Sequence, residues 1–384
     1  MKFFKSLNII YICIILFSPL SLLAQRADYT SITPIDNLGK KWRIAYIEGG
    51  AYKNYPANLK AISEALMKFG WMERVSIPYK EGDDDAKNMW EFLSSSIKSP
   101  YIEFVDDAFY SANWDESNRK VNIESLKKRD DIDLILAFGT WAGQDLSKDD
   151  ISVSTIVIST SNPLEAGIIK SIEDSGYDHL IAQIDPTRYQ RQVELFYEII
   201  GFKNLGIVYE DSPSGRTYAS VDDVKMVAKQ RGFNLKVCHA KSDVKEVSIA
   251  YNEINQCYKK LAPIVDAVYV TNHAGVDSKN ITSIVEVLNQ YKIPSFSQNG
   301  SFEVKHGLLM SIAQANFKYV GEFHAKTIAK VFNGAKPRNL TQVFENPSKI
   351  AINLMSARKI GFDPSIDLMG AADELYQSVG KKTF

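Results

Sequence analysis

At 384 residues the chain exceeds what one hydrophobic core normally holds, so two lobes are expected. Apolar residues at 45% and aromatic residues at 11% exclude a disordered chain. A formal net charge of −1, with basic residues scattered rather than blocked, argues against nucleic acid or an anionic membrane surface as partner.

Lys2 and Lys5 precede an apolar run over 7–23 that ends Leu22-Leu23-Ala24-Gln25. This reads as a signal peptide over 1–24, cut after Ala24, and predicts export to a periplasmic or extracytoplasmic space. Pro19 and Ser18 favour that reading, although the run is nearly long enough to stay as an uncleaved anchor. Cys13 lies in mid-run, away from the cut, which argues against a lipid-modified cysteine there. Residues 25–41, with Pro34, Asn37 and Gly39, read as a tether.

A strand is expected over 42–47 and an amphipathic helix over 55–70, where Leu59, Ile62, Ala65, Leu66 and Phe69 fall at helical spacing. Segments 75–79, 89–97, 102–105, 121–128, 134–138 and 155–158 continue a strand–helix alternation, the pattern of a doubly wound parallel sheet. Ile156-Val157-Ile158 is short and β-branched, hence a buried strand. Ser159, Thr160, Ser161 and Asn162 then place small polar groups at its carboxyl end, where open α/β sheets bind ligands. Pro163 opens a helix-like run over 164–172, and 154–167 reads as the first crossing between the lobes.

The second half echoes the first. Arg43-Ile44-Ala45-Tyr46-Ile47-Glu48 recurs in outline as Leu205-Gly206-Ile207-Val208-Tyr209-Glu210, and 133–143 as 266–275. The polar-tipped strand at 154–162 recurs at 293–299. Three echoes in one order argue for two similar α/β lobes. The first half is longer, and 81–114 is the candidate surplus. A strand over 308–313 and a helix over 317–333 read as a return crossing, 344–361 as a further strand and helix, and 380–384 as a loose basic tail. The expected domains are 42–160 with about 307–338 for lobe 1, 161–306 with about 339–370 for lobe 2, and a tail at 371–384.

No GxGxxG, P-loop, GxSxG or HExxH spacing occurs, and no CxxC or Cys/His spacing suggests a metal. Neither a catalytic residue nor a cofactor is expected. Glu81-Gly82-Asp83-Asp84-Asp85 lacks the alternation of a calcium loop and reads as a solvated acidic turn. Cys238 and Cys257 could pair after export, but two buried free thiols are the expectation. Of the five histidines, His273 alone falls in a strand-end loop of the proposed crevice. The candidate ligand groups are the strand tips of both halves: Glu48, Gly139, Thr140, Ser159, Thr160, Ser161, Asn162, Tyr209, Ser214, Asn272, Gln298 and Asn299, with Trp141 as a ring wall. Hydroxyls and amides of this kind suit reversible binding of a small polar solute better than turnover.

The order of several segments resembles the exported substrate-binding proteins of ABC importers, tryptophan/tyrosine type. It is carried by Gly139-Thr140, Asn162-Pro163-Leu164-Glu165-Ala166-Gly167, Lys292-Ile293-Pro294, Val304-Lys305-His306-Gly307-Leu308-Leu309, Tyr319-Val320-Gly321 and Lys349-Ile350-Ala351-Ile352-Asn353-Leu354. Where that family often has an acid beside Thr271, this chain has Asn272. The resemblance implies a type I periplasmic-binding-protein fold, two Rossmann-like lobes joined by a multi-strand hinge. It also implies a monomer that closes on a small solute, amino acids leading, and hands it to an ABC permease. A sensory module serving a receptor is the alternative, and an exported α/β enzyme a more distant one.

Overall fold

The computed structural model describes residues 31–148, 150–314, 317–345, 348–378 and 381–382. The expected signal segment, 1–24, lies outside the described residues. The first half runs β1 (Trp42–Glu48), α1 (Asn54–Lys68), α2 (Lys87–Ser96), β2 (Ile102–Ser111), α3 (Glu116–Lys127), β3 (Leu134–Phe138), α4 (Gly139–Leu146), β4 (Ser154–Ile158) and β5 (Leu180–Ala182). The five strands form one parallel sheet in the order β2-β1-β3-β4-β5. Every residue of β3 is buried, as a strand covered by helices on both faces requires. Asp115 starts α3, its carboxylate accepting from the N–H groups of Ser117 and Asn118 at 2.8 and 3.2 Å.

The second half runs α5 (Arg188–Ile200), β6 (Asn204–Tyr209), α6 (Pro213–Tyr218), α7 (Val221–Arg231), β7 (Asn234–His239), α8 (Val247–Leu261), β8 (Ala267–Val270), α9 (Ile281–Gln290), β9 (Ser295–Ser297), α10 (Ser301–Lys305) and β10 (Met310–Gln314). There follow α11 (Lys318–Phe332), β11 (Ser348–Asn353), α12 (Leu354–Ile360), α13 (Ile366–Ala371), β12 (Glu374–Ser378) and β13 (Lys381–Lys382). The second sheet reads β7-β6-β8-β9-β10-β11-β12-β13 from one edge to the other. Its first five strands are parallel and repeat the connectivity of the first sheet, with β6, β8 and β9 in the places of β1, β3 and β4. The echoes seen in the sequence are thus two copies of one topology, the α/β two-lobed fold expected.

The surplus of the first half is shifted from its expected place. β2 takes the position that β7 holds in the second sheet, so the extra chain is 69–101, built around α2. The expected strand over 75–79 does not form, because β2 already occupies that flank of β1.

The first crossing also lies elsewhere. After β4 the chain stays with the first lobe, burying Ile168, Ile169 and Leu180 in its core, and adds β5 to the sheet before leaving. The run over 164–172 makes turns instead of a helix. Ser171 accepts from the N–H groups of Glu173 and Asp174, a local side-chain bond that competes with helical pairing. The crossing is 183–187, next to a strand of chain returning near 342–344. Ile184 and Val343 form a parallel bridge, with Ile184 N–H to Gln342 carbonyl at 2.9 Å and Phe344 N–H to Ile184 carbonyl at 3.0 Å. A third passage joins β10, in the second sheet, to α11, whose Ala325, Ile328, Ala329 and Phe332 pack in the first lobe's core.

Three further expectations meet a different outcome. Cys238 and Cys257 are joined by a disulfide, which the register of β7 against α8 allows by placing their Cα atoms 5.5 Å apart. Residues 371–378 and 381–382 are not a loose tail, since β12 pairs with β11 and β13 with β12. The described part of the tether lies along the first lobe, where the Trp71 indole N–H donates to Ile32, that of Trp42 to Ile35, and the Asn333 amide to Thr33.

Candidate functional site

The carboxyl ends of both sheets face one another across an enclosed cleft. On the first lobe, β3 runs directly into α4 through Gly139, whose φ of 84° and lack of a Cβ leave room for the Tyr55 hydroxyl; a Cβ there would lie 1.8 Å from it. The first turn of α4 thereby presents Thr140 and Trp141 to the cleft. Trp141 meets Trp114 edge to face, 5.5 Å between centroids, and its other side carries the Arg119 guanidinium at 4.6 Å, held by Asp145 at 2.8 Å. At the end of β4, Ser159 turns left-handed (φ 60°) and Thr160 and Ser161 follow into the cleft. The opening turn of α1 adds Asn54, Tyr55 and Asn58.

The second-lobe wall is a braced set of loops. Gln298, fully buried, accepts from the Asn272 N–H at 2.8 Å and donates to the Tyr218 carbonyl and the Ser220 hydroxyl at 2.9 and 3.0 Å. His273 bonds the Ala240 carbonyl through Nε2 at 3.1 Å and accepts from the Gly275 N–H through Nδ1. Burial pushes its pKa down to about 4, so it stays neutral and acts as a strut. The Glu210 carboxylate accepts from the N–H groups of Ser242 and Asp243 at 2.6 and 2.8 Å, which fixes the loop that aims Asp243 at the cleft. Burial, then the nearby Glu210, raise Asp243 to about 7; Tyr218, Trp141 and Arg119 beside it oppose the rise.

The lobes touch around this space. Ser161 donates to the Tyr218 carbonyl at 3.2 Å and accepts from the Asn272 amide at 3.1 Å. The Tyr52 hydroxyl reaches Asn272 at 3.4 Å and Asn299 at 3.4 Å. Lys53 donates to the Val276 carbonyl at 2.8 Å and pairs with Glu303. Inside, the Thr160 hydroxyl is buried without a hydrogen-bond partner, and the Tyr218 hydroxyl makes no aligned bond. Such groups ask for a ligand atom.

Seven of the residues expected from sequence line the cleft together: Thr140, Trp141, Ser159, Thr160, Ser161, Asn272 and Asn299. Six do not. Glu48 lies beneath, accepting from the Tyr46 and Ser111 hydroxyls at 2.6 and 2.9 Å, and burial raises it to about 7. Gly139 and Gln298 support their neighbours, as described above. Asn162 accepts from the Glu165 N–H and closes a turn; Tyr209 is core, edge-on to His239 at 4.8 Å; Ser214 sits in the first turn of α6. Arg188, Tyr189, Tyr218, Asp243, Trp114 and Asn58 line the cleft without having been singled out from sequence. Asn58, an amide on the buried face of α1 four residues after Asn54, was the one available signal.

Residues 97–375 match the family model described as ABC transporter substrate binding protein. The tyrosine-binding protein of Clostridioides difficile (strain R20291) is 24% identical over 272 residues, 67% of this chain and 74% of that one. Among solved structures, the fold is shared with an ABC domain in complex with L-Trp from Streptococcus pneumonia, at 21% identity and a TM-score of 0.64, covering 86% of this chain and 99% of that one. It is shared too with the ligand-free, open structure of a substrate-binding protein with adhesive properties from Clostridium difficile, at 20% identity and a TM-score of 0.56, covering 85% and 97%.

Proposed function

The chain belongs to the ABC transporter substrate-binding protein family, and we propose that it is an exported, monomeric receptor for a free aromatic α-amino acid. The observation that carries this reading is the pairing, in one ring-walled cleft, of an acid and a base: Asp243 from the second lobe and Arg188 from the start of α5, just after the crossing. A zwitterion needs both. Its ammonium suits the ionised Asp243, its carboxylate the Arg188 guanidinium and neighbouring hydroxyls, and its ring the faces of Trp141, Trp114 and the tyrosines. The tyrosine-binding relative and the L-Trp complex support the same ligand class.

Function follows from closure. Ligand contacts to both lobes favour the shut form over the open one, and the crossings at 183–187 and 342–344 absorb the rotation. The shut form is then the one presented to a membrane permease. The deciding experiment is calorimetry with L-tyrosine, L-tryptophan and L-phenylalanine beside tyramine and 3-(4-hydroxyphenyl)propionate, which lack the carboxylate and the ammonium. Binding that requires both charged groups is expected. Equal binding of tyramine and tyrosine, or no binding by any aromatic amino acid, would overturn the assignment.

A further inference from the structure

Trp114 occupies a backbone region that a bulky side chain enters only under constraint: it and Asn113 are both left-handed, with φ of 56° and 51°. The strain places one indole. The Trp114 backbone N–H donates to the Gly49 carbonyl at 2.8 Å, and the ring lies against Gly49 and Gly50. A Cβ on Gly50 would fall 2.6 Å from indole atoms, and one on Gly49 3.0 Å from them, so these two glycines form the ring's seat.

Two spaces meet at that ring. Trp114 lines the enclosed cleft and also a second groove at its mouth, whose other walls carry Lys80, Asp83, Asp84, Lys245 and Lys279. Tyr52, His273 and Ala274 share the boundary. Tyr52 and His273 are fixed by the hydrogen bonds given above, and Ala274 has almost no side chain. The indole is held by the glycine seat and by its edge contact with Trp141.

We infer that Trp114 is the specificity-determining end wall of the cleft, restricting the occupant to a single amino acid by shutting the pocket off from the charged groove. This rests on the amino-acid reading above. Without the indole the two spaces become one channel, long enough for a short peptide. Its second residue would lie in the groove, where Asp83, Asp84, Lys245 and Lys279 can meet a terminal charge.

The test compares the wild type with Trp114→Gly and Trp114→Phe, using L-tyrosine, Gly-Tyr and Tyr-Gly as ligands in calorimetry, with ligand-free melting recorded for each. Glycine relieves the left-handed strain at this φ but forfeits the contacts of a half-buried indole, so its ligand-free melting temperature should fall by a few degrees at most. Its L-tyrosine affinity should fall about tenfold or more, and its preference should move toward a dipeptide by about 100-fold. The Phe variant should fall between. A Gly variant that keeps the wild-type preference overturns the inference, as does one that melts several degrees lower while losing all ligands in parallel. Should the wild type bind no aromatic amino acid, the functional reading fails separately. The wall is then judged by thermal shift over solutes of graded length: the Gly variant must respond to longer solutes than the wild type, and identical response profiles overturn the inference.

Discussion

Lys53 and Glu303 come from opposite lobes and form an ion pair whose side chains are only 10% and 2% exposed. Glu303 also accepts from the Ser297 hydroxyl at 3.2 Å and the Asn299 amide at 3.4 Å, so its carboxylate belongs to the second lobe and Lys53 arrives from the first. In the described form, with the lobes in contact, the two charges are buried together.

Lys53→Met should therefore act on closure more than on folding. It leaves Glu303 buried and unpaired only in the shut form, at a cost of about 2 kcal/mol, or a rise of roughly 30-fold in ligand Kd. Adding Glu303→Leu should recover most of that loss. Calorimetry gives the affinities and small-angle scattering the compaction on binding; an unchanged Kd in the single variant would show that the pair is incidental to closure.

Asp243 gives the ligand affinity a pH dependence. Its proton is held until about pH 7 in the shut cleft, so an ammonium-bearing ligand must meet a carboxylate still partly protonated at pH 5.5. Affinity for L-tyrosine should strengthen from pH 5.5 to 8 and then level off, and Asp243→Asn should flatten that slope.

Ligand-free stability should run the other way. Asp243, Glu48 and Glu165 are each raised to about 7 in the folded protein, chiefly by burial. The unfolded chain releases these protons near pH 4, so between about pH 4 and 7 the folded form binds more protons. Their contribution to stability falls as pH rises through that window. Differential scanning calorimetry without ligand at pH 5.5 and 8 tests the sign.

Thr160 and Ser161 separate two kinds of cleft hydroxyl. Thr160→Val removes a buried oxygen that lacks a partner, so the ligand-free protein should melt at the same temperature or slightly higher while its ligand affinity drops. Ser161→Ala removes bonds to Tyr218 and Asn272 that exist only when the lobes meet. It should weaken binding about five- to tenfold with little change in ligand-free melting. A large loss of ligand-free stability in either variant would assign that residue to structure.

Reduction of the Cys238–Cys257 bond, which closes a loop of 19 residues, should cost about 3 kcal/mol. Melting with and without a reductant measures the loss, and thiol titration of the native protein should find both sulfurs unreactive.

The parallel strands were readable because Ile44, Leu134 and Ile156 sit in runs buried on both faces, a signal local to each segment. The polar tips at Thr140, Ser161 and Asn272 were readable for the same reason, since each follows its strand directly. The crossing was not. Pro163 after a polar strand end mimics a helix start, whereas the real passage at Gln183, Ile184 and Asp185 has no periodicity and is defined by a bridge to Val343 far along the chain. Asp243 and Trp114 were equally hidden. The first is aimed by Glu210 from another loop, and the second by the bare backbone of Gly49 and Gly50, so neither placement leaves a mark in its own neighbourhood of sequence.

The strapping of residues 32–35 beneath Trp42, Trp71 and Asn333 makes the two halves mechanically unequal. All three bonds fall on the first lobe, so residues 32–35 belong to that body, and a displacement of the second lobe would break none of them.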